Sequence, residues 1–375
     1  MERRPLAVFA LRQVRRATGA VRNVLEQAEY AREMGYTVRI CSERVDRTRL
    51  AACELQWVPI LRLPVKGYVR RIFYDWCVQR YIHRAQPDLF ISHGDARSHD
   101  ILVIHNCFAL AHERLHGNPA REQEQVRFQE RIIRKSRCRF VIANSELMKR
   151  DLIERYELDA SKVGVFYQGV DTTLFNVRNQ DTLRRQGRET LRLPDRAFVA
   201  GLITSGAFHK RNVRFFLEVA AGVREYLPEA HFLIAGKDSS IRWYQNYAKQ
   251  LGLENSVVFA PPVKEVWRYY HALDAFVYPA KIEEYGRVVL EALACGIPSI
   301  IGAAVGASEL MEIEKVPAIL KGWDESHWVQ QIISIAEQPN KAKAHASAGI
   351  ALADKYSQPR RSRAMKELLT ELKSA

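Results

Sequence analysis

Short apolar runs alternate with amphipathic stretches along the whole chain, and the alternation comes in two series. In the first half, the runs at 5–11 (PLAVFAL), 37–41, 88–94, 101–106, 140–145 and 163–169 are compact, bounded by polar residues, and predict buried strands. Between the first two, TGAVRNVLEQAEYAREMGY carries Val21, Val24, Leu25, Ala28 and Ala31 at helical spacing, with Gly35 as its stop. In the second half, strands are expected at 198–204, 231–236, 257–262, 275–280, 298–303 and 316–320, with helices at 213–226 and 241–251 between them.

Strand–helix alternation of this kind means α/β units with parallel sheets covered on both faces, and two series mean two doubly wound domains. A length of 375 residues agrees with two cores rather than one. The expected division is a first domain over 1–175, a second over 176–357, and a terminal helix from 358 to 375 that packs back on the first domain. The polar, basic stretch DTTLFNVRNQDTLRRQGRETLRLPDRA is read as the boundary, with a short helix before Pro194. In open α/β sheets ligands sit at the carboxyl ends of the strands, so two such domains facing each other would form a cleft.

Hydrophobic and charged contents of 47% and 27% exclude a disordered chain. The net charge of +14 favours polyanionic partners: nucleic acid, an anionic membrane surface or phosphorylated small molecules. The six cysteines form no CxxC pair, so buried free thiols are expected rather than a zinc site. MERRPLAVFALRQVRR has basic flanks but only a short apolar stretch and no small-residue cleavage site, and no run reaches the ~20 apolar residues needed to span a bilayer. A cytoplasmic protein is expected.

The chemistry concentrates in KIEEYGRVVLEALACGIPSI, residues 281–300. A strand precedes it and a helix begins near Gly286 and Arg287. A helix start offers amide N–H groups and partial positive charge to a phosphate, and Gly286 lets the backbone approach closely. Glu283 falls in the loop before that start. Glu291 falls ~7 Å along the helix at 1.5 Å per residue. Such a pair could bind hydroxyls on either side of a diphosphate. Taken as bare glutamates, they could equally be a solvated loop charge and a helix-surface charge.

The stretch resembles the Glu-x7-Glu motif of family-four glycosyltransferases. Glu283, Tyr285 in place of Phe, Gly286, Glu291, Ala292, Ala294, Gly296 and Pro298 fall in register. The resemblance runs along nearly the whole chain. Gly19-Ala20 stands where the family has a Gly-Gly pair opening its first helix. Asn144, Ser145, Gly169, Val170, Asp171 and Phe175 match segments that are mostly structural, with Gln168 replacing an Asn. In SGAFHKRNV, Arg211 takes the position of the family's phosphate-binding Lys, Lys210 precedes it, and an earlier Arg of the family is absent.

What the resemblance implies is a GT-B fold of two Rossmann-like domains, and retaining, metal-independent transfer of a sugar from a nucleotide diphosphate sugar, with no cofactor. It implies a donor site of Gly19, Ala20, Lys210, Arg211, Glu283, the helix-start residues Tyr285, Gly286, Arg287 and Val288, and Glu291. Catalytic roles would fall to Glu283, His105, Lys210 and Arg211. His105, in ILVIHNCF, stands where the family has a His near the donor sugar, with Asn106 beside it; a lone His after an apolar run is otherwise a structural residue. Expected acceptors are a glycan or a lipid-linked molecule in bacterial polysaccharide or lipopolysaccharide assembly, on the inner face of the cytoplasmic membrane.

The segment 63–84 interleaves Lys66, Arg70, Arg71, Arg80 and Arg84 with Tyr68, Phe73, Tyr74, Trp76 and Tyr81. It reads either as a dock for anionic lipid or as an amphipathic helix with its apolar face in the core. No nucleic-acid motif accompanies the charge, so nucleic acid is not an expected partner, although a basic nucleic-acid-binding protein is the alternative class. A sugar-nucleotide epimerase would need a different acid/base set, and a phosphorylase would need a pyridoxal-binding lysine segment.

Overall fold

The computed structural model describes residues 4–15, 18–119 and 123–374. The chain forms two compact units, one running up to Gln168 and resuming at Pro359, the other spanning Gly169–Gln358.

The first unit contains strands β1 (Leu6–Ala10), β2 (Gln13–Val14), β3 (Thr37–Ser42), β4 (Arg44–Val45), β5 (Gln56–Pro59), β6 (Leu89–Ser92), β7 (Ile101–Val103), β8 (Phe140–Ala143) and β9 (Val163–Val165). Seven of them make a parallel sheet in the order β5-β3-β1-β6-β7-β8-β9, while β2 and β4 pair separately. Alternate residues of β1 serve two cores. Ala7 and Phe9 pack with Val24, Leu25 and Ala28 of the helix Gly19–Glu33. Leu6, Val8 and Ala10 pack with Tyr74, Val78 and Ile82 of the helix Tyr68–Ala85. That two-sided burial is why the strand reads as a continuous apolar run. Met365 and Leu369 of the last helix, Gln358–Ser374, join the first of these cores. Arg361 secures that helix, donating from Nε to the Tyr167 carbonyl at 2.9 Å with its guanidinium 4.1 Å from the Phe166 ring centroid.

The second unit holds β10 (Val199–Ile203), β11 (His231–Ala235), β12 (Val257–Ala260), β13 (Ala275–Tyr278), β14 (Ser299–Gly302) and β15 (Ile319–Leu320), all parallel in the order β12-β11-β10-β13-β14-β15. The helix Gln180–Leu191 is fastened to this sheet by Arg188, a guanidinium only 1% exposed. Arg188 donates to the carbonyls of Ala272, Pro194, Asp195 and Ala197 and to the Asp274 carboxylate. Asp274 also accepts from the Val199 amide at the start of β10.

The division between units falls at Gln168/Gly169, earlier than the expected 175/176. Val170 already donates to the Tyr356 carbonyl, and Phe175 packs edge-on to Trp267 and Tyr270, so this short stretch belongs to the second unit. The polar stretch after it is therefore not a free linker. Edge strand β5 escaped the apolar-run reading because Trp57 and Val58 are only half-buried and Pro59 ends it. The six cysteines are unpaired; Cys41, Cys107 and Cys295 are buried and the other three half-buried.

His345, on the helix Pro339–Lys355, accepts a hydrogen bond at Nε2 from the Ser299 amide at the start of β14. Burial, and then the charge of Lys341, push its pKa down to about 4 from the ordinary 6.5. The folded state thus holds a neutral imidazole that the unfolded chain protonates more readily. This contribution is complete above pH 6.5 and is lost as pH falls toward 4. Urea titrations at pH 7 and 4.5 should show a loss of up to about 3 kcal/mol from this group. In His345→Gln that share of the pH slope should be missing.

Candidate functional site

The second sheet reverses its winding between β10 and β13: from β10 the chain steps to β11 and β12 on one side, and from β13 to β14 and β15 on the other. The carboxyl ends of those two strands are where an open parallel sheet leaves a crevice for a ligand. The loops that follow them carry SGAFHKRN and the Glu-x7-Glu stretch, and the Lys281 amide joins them by donating to the Lys210 carbonyl at 3.0 Å. The first loop turns sharply at Gly206, φ +148°, where an added Cβ would lie 2.5 Å from the Lys237 carbonyl oxygen. Asp238 holds it by accepting from the Phe208 amide at 2.8 Å.

Two ion pairs cross between the loops. Arg211 Nη2 lies 2.7 Å from Glu283 Oε2, and Lys210 Nζ lies 2.5 Å from Glu284 Oε2. Tyr278, at the end of β13, donates its hydroxyl to Glu283 Oε2 at 3.0 Å. Arg211 Nε and Nη1 are buried and meet no protein acceptor among the described residues. Burial works against the Arg211 charge, but Glu283, then Tyr278 and Glu284, more than offset it, so its pKa is raised. Arg211 therefore keeps its charge and presents two buried donor atoms that call for an acceptor.

Gly286 precedes the helix Arg287–Ala294 at φ +91°, ψ +60°, with no side-chain cap. A Cβ there would lie 2.9 Å from Val305 Cγ1 and 3.1 Å from Glu283 Cγ, so this left-handed turn admits only glycine without strain. The loop before it is braced by 304–307: the Glu283 amide donates to the Ala304 carbonyl, the Gly306 amide to the Glu283 carbonyl, and the Ala307 amide to the Tyr285 carbonyl. Tyr285 is buried, and Arg287 and Val288 are half-buried. Glu291 is 4% exposed and accepts at Oε2 from the Tyr270 hydroxyl at 2.9 Å. Burial first, then the Glu291 carboxylate, push the Tyr270 pKa well up, so it stays a donor. Phe175 packs edge-on to Tyr270, which gives that motif position its structural place. The structure thus brings together Lys210, Arg211, Glu283 and the helix start, and adds Tyr270 and Tyr278. Neither tyrosine was singled out in the sequence, Tyr278 lying within an expected strand; their signal is the hydroxyl each buries.

The remaining calls lie in the first unit. Gly19 and Ala20 open the helix Gly19–Glu33, capped by Thr18 Oγ1 accepting from the Val21 amide. A Cβ on Gly19 would meet nothing within 4 Å, so the packing of this unit does not itself require glycine there. His105 lies two residues beyond β7, not at its last position. Its Nε2 is 2.8 Å from Nδ1 of His93, which follows β6; His93 was not singled out in the sequence, though FISHG has the same strand-end form. Ser145 caps the helix Glu146–Tyr156 through the Met148 amide, a structural duty.

In the helix Tyr68–Ala85 the inward residues face the core, as the amphipathic reading expected. On the outside Val69 and Trp76 are 63% and 51% exposed, and Leu61 and Val65 of the preceding loop are also exposed. Phe73 stacks on Trp76, and the Arg80 guanidinium lies over the Trp76 ring. Arg70, counted among the basic surface residues in the sequence, is instead buried and paired with Glu43. Arg71 is half-buried near Asp95 and Glu124, which leaves Lys66, Arg80 and Arg84 as the exposed cations of the segment. Among the described residues no helix is long and apolar enough to cross a membrane, and no group of three or more His, Cys, Asp or Glu residues is placed to hold a metal ion.

Solved structures share this architecture. WaaG, a glycosyltransferase involved in lipopolysaccharide biosynthesis, aligns with a TM-score of 0.81 at 16% identity over 97% of this chain and all of that one. HepE of Anabaena in complex with UDP-glucose aligns at 0.79 with 18% identity, over 97% of this chain and 99% of that one. The fold is that of the GT-B glycosyltransferases. Residues 17–174 match the model of Glycosyltransferase Family 4, and residues 200–351 that of Glycosyl transferases group 1. The two matches take in most of the chain, and the protein belongs to this glycosyltransferase family. A curated relative, the D-inositol 3-phosphate glycosyltransferase of Thermomonospora curvata, is 28% identical over 227 residues, 56% of this chain and 52% of that protein. The chain spans about half the length of the curated relatives it matches.

Gly286→Ala tests the turn that sets the helix start. The strained φ and the contact with Val305 should cost about 1–3 kcal/mol in denaturant unfolding. An unchanged midpoint would show that the turn relaxes freely.

Proposed function

We propose that the protein transfers a sugar from a nucleotide diphosphate sugar, with retention and without a metal, to a glycan or lipid-linked acceptor. The observation that carries this is Arg211, a charged guanidinium paired with the motif carboxylate Glu283, whose buried Nε and Nη1 lack a protein acceptor among the described residues. Diphosphate oxygens supply the acceptors it lacks. Arg211, Lys210 and the helix start at Gly286 stabilise the charge that grows on the departing diphosphate, the role a metal ion would otherwise fill. Glu283, held by Arg211 and Tyr278, takes hydroxyls of the sugar. Glu291, held by Tyr270, takes hydroxyls of the ribose. Attack comes from the face the diphosphate leaves, with a diphosphate oxygen taking the proton, and no protein nucleophile is invoked.

A bound donor raises the melting temperature by mass action, so a thermal-shift panel of UDP-, GDP- and ADP-sugars identifies the base. UDP-sugars come first because HepE has been solved with UDP and with UDP-glucose. No stabilisation by any of the three would defeat the proposal. Glu291→Ala should weaken donor binding roughly tenfold to a hundredfold in calorimetry, since it removes hydrogen bonds to a charged group. Undiminished affinity would remove Glu291 from the site.

The exposed Leu61, Val65, Val69 and Trp76 beside Lys66, Arg80 and Arg84 support peripheral contact with an anionic membrane, consistent with a cytoplasmic enzyme building a cell-surface polysaccharide or lipopolysaccharide. Flotation with anionic liposomes should recover the protein at low salt and lose it at high salt, and Trp76→Ala should reduce the recovery. Absence of salt-sensitive association would refute the contact.

A further inference from the structure

The first sheet also reverses its winding, between β1 and β6, so the carboxyl ends of β3, β1 and β6 stand side by side at its crevice. A charged residue follows each strand: Glu43 after β3, Arg12 after β1 and Asp95 after β6. Backbone contacts lock the three together. The Arg12 amide donates to Asp95 Oδ2 at 3.0 Å, and the Arg12 carbonyl accepts from the Glu43 amide and the Ser42 hydroxyl. Arg12 lines a cavity of about 470 Å³ together with Lys66, Arg70 and Arg71. Gly67 and residues 123–125 complete the described lining, which contains no apolar side chain.

The charges around this cavity do not balance. Glu43 is spent on Arg70, which donates to it from both Nε and Nη2. Asp95 has one charge for two guanidiniums. It lies 3.8 Å from Arg12 Nε and 3.7 Å from Arg71 Nη1, both too far for a hydrogen bond. Glu43 is likewise 3.7 Å from Arg12 Nη1, and Glu124 is 3.7 Å from Arg71 Nε. Arg12 and Arg71 thus have carboxylates nearby that their guanidiniums do not hydrogen-bond, and their side chains keep 18% and 20% of their surface open. Lys66 adds a further exposed cation. Arg62 registers the excess: Arg70 foremost, then burial and Arg44, hold its pKa below the ordinary value.

What the two guanidiniums lack is an acceptor with several oxygens and more than one negative charge. A phosphate monoester brings about −1.5 to −2 charges at pH 7 and three acceptor oxygens. A carboxylate brings one charge and two oxygens. The polar walls exclude an acyl chain, and the side-chain amides of Gln123 and Gln125 suit sugar hydroxyls.

We propose that this cavity is a phosphate site, in which Arg12 and Arg71 take the phosphate monoester of a phosphorylated sugar that serves as acceptor. That the sugar is the acceptor rests on the function proposed above; that the cavity takes a phosphate does not.

The test is calorimetry on the full chain without donor, with inorganic phosphate, glucose 6-phosphate, glucuronate and glucose as probes. Both phosphates should bind, glucuronate at least roughly tenfold more weakly, and glucose not measurably. Arg12→Gln and Arg71→Gln should each weaken glucose 6-phosphate roughly tenfold, the loss of a charged hydrogen bond. Arg211→Gln should leave it unchanged, which separates this cavity from the donor site. Glu124→Gln, at an exposed side chain, keeps the test open if an arginine variant fails to fold: with one carboxylate fewer beside the anion, binding should tighten. No phosphate binding, equal affinity for glucuronate, a loss confined to Arg211→Gln, or no tightening in Glu124→Gln overturns the site. With the donor from the thermal-shift panel, kcat/KM for phosphorylated sugars should exceed that for their dephosphorylated forms at least roughly tenfold, and Arg71→Gln should abolish the preference. Equal transfer to both forms overturns the acceptor assignment. If no sugar nucleotide stabilises the chain, the proposed function fails while the calorimetry still decides the phosphate site.

Discussion

The second unit is organised around one contact, the pairing of Arg211 with Glu283 at the reversal point of its sheet. A guanidinium and a carboxylate, each with a side chain only 13% exposed, sit at 2.7 Å where two loops of a parallel sheet meet. Neither charge would be tolerable there alone, because an unpaired buried charge costs several kcal/mol. Pairing makes both tolerable without exhausting either. Glu283 also takes the Tyr278 hydroxyl, and Arg211 still has two donor atoms to offer. A buried pair of this kind is weak evidence for stability. Its use is to hold a charged donor and a carboxylate in fixed geometry before any substrate arrives, which is what preorganised electrostatics requires.

The surrounding contacts follow from that constraint. Lys210 pairs with Glu284, so the second of two adjacent glutamates is committed to the loop and Glu283 is the one turned toward Arg211. Gly286 has to be glycine because its added carbon would strike both Val305 and the Glu283 side chain. The 304–307 segment braces the backbone of Glu283 and Tyr285 from the other side. Glu291 is aimed by Tyr270, and Phe175 packs edge-on to Tyr270. Residues far apart in sequence thus hold the two carboxylates of one short motif.

The first unit uses the same sheet logic with a different chemistry. Beside its reversal point stands a pair of histidines instead of a salt bridge, with His93 Nδ1 2.8 Å from His105 Nε2. Its outer helix divides by face: Tyr74, Val78 and Ile82 enter the core, while Val69, Trp76 and Arg80 stay outside. Both sequence readings of that helix were therefore partly correct, because an amphipathic helix has an outside as well as an inside.

The two doubly wound sheets, most strand positions, the helices 213–226 and 241–250 and the Glu-x7-Glu stretch were legible in the amino-acid order. Strands buried on both faces are uniform apolar runs, and motif spacing is a local property. Edge strand β5 was not legible, since half-burial leaves no such run. Nor was the division at Gln168/Gly169, which depends on Val170 meeting Tyr356 nearly two hundred residues later. Arg70 looked like surface charge until Glu43 was placed beside it. The sequence by itself determined which residue types the site would use. Only the tertiary structure decided which glutamate faces Arg211, which tyrosines hold the carboxylates, and that His105 has a histidine for a partner. The physical reason is that a hydrogen bond is fixed by distance and direction in space, and chain order records neither.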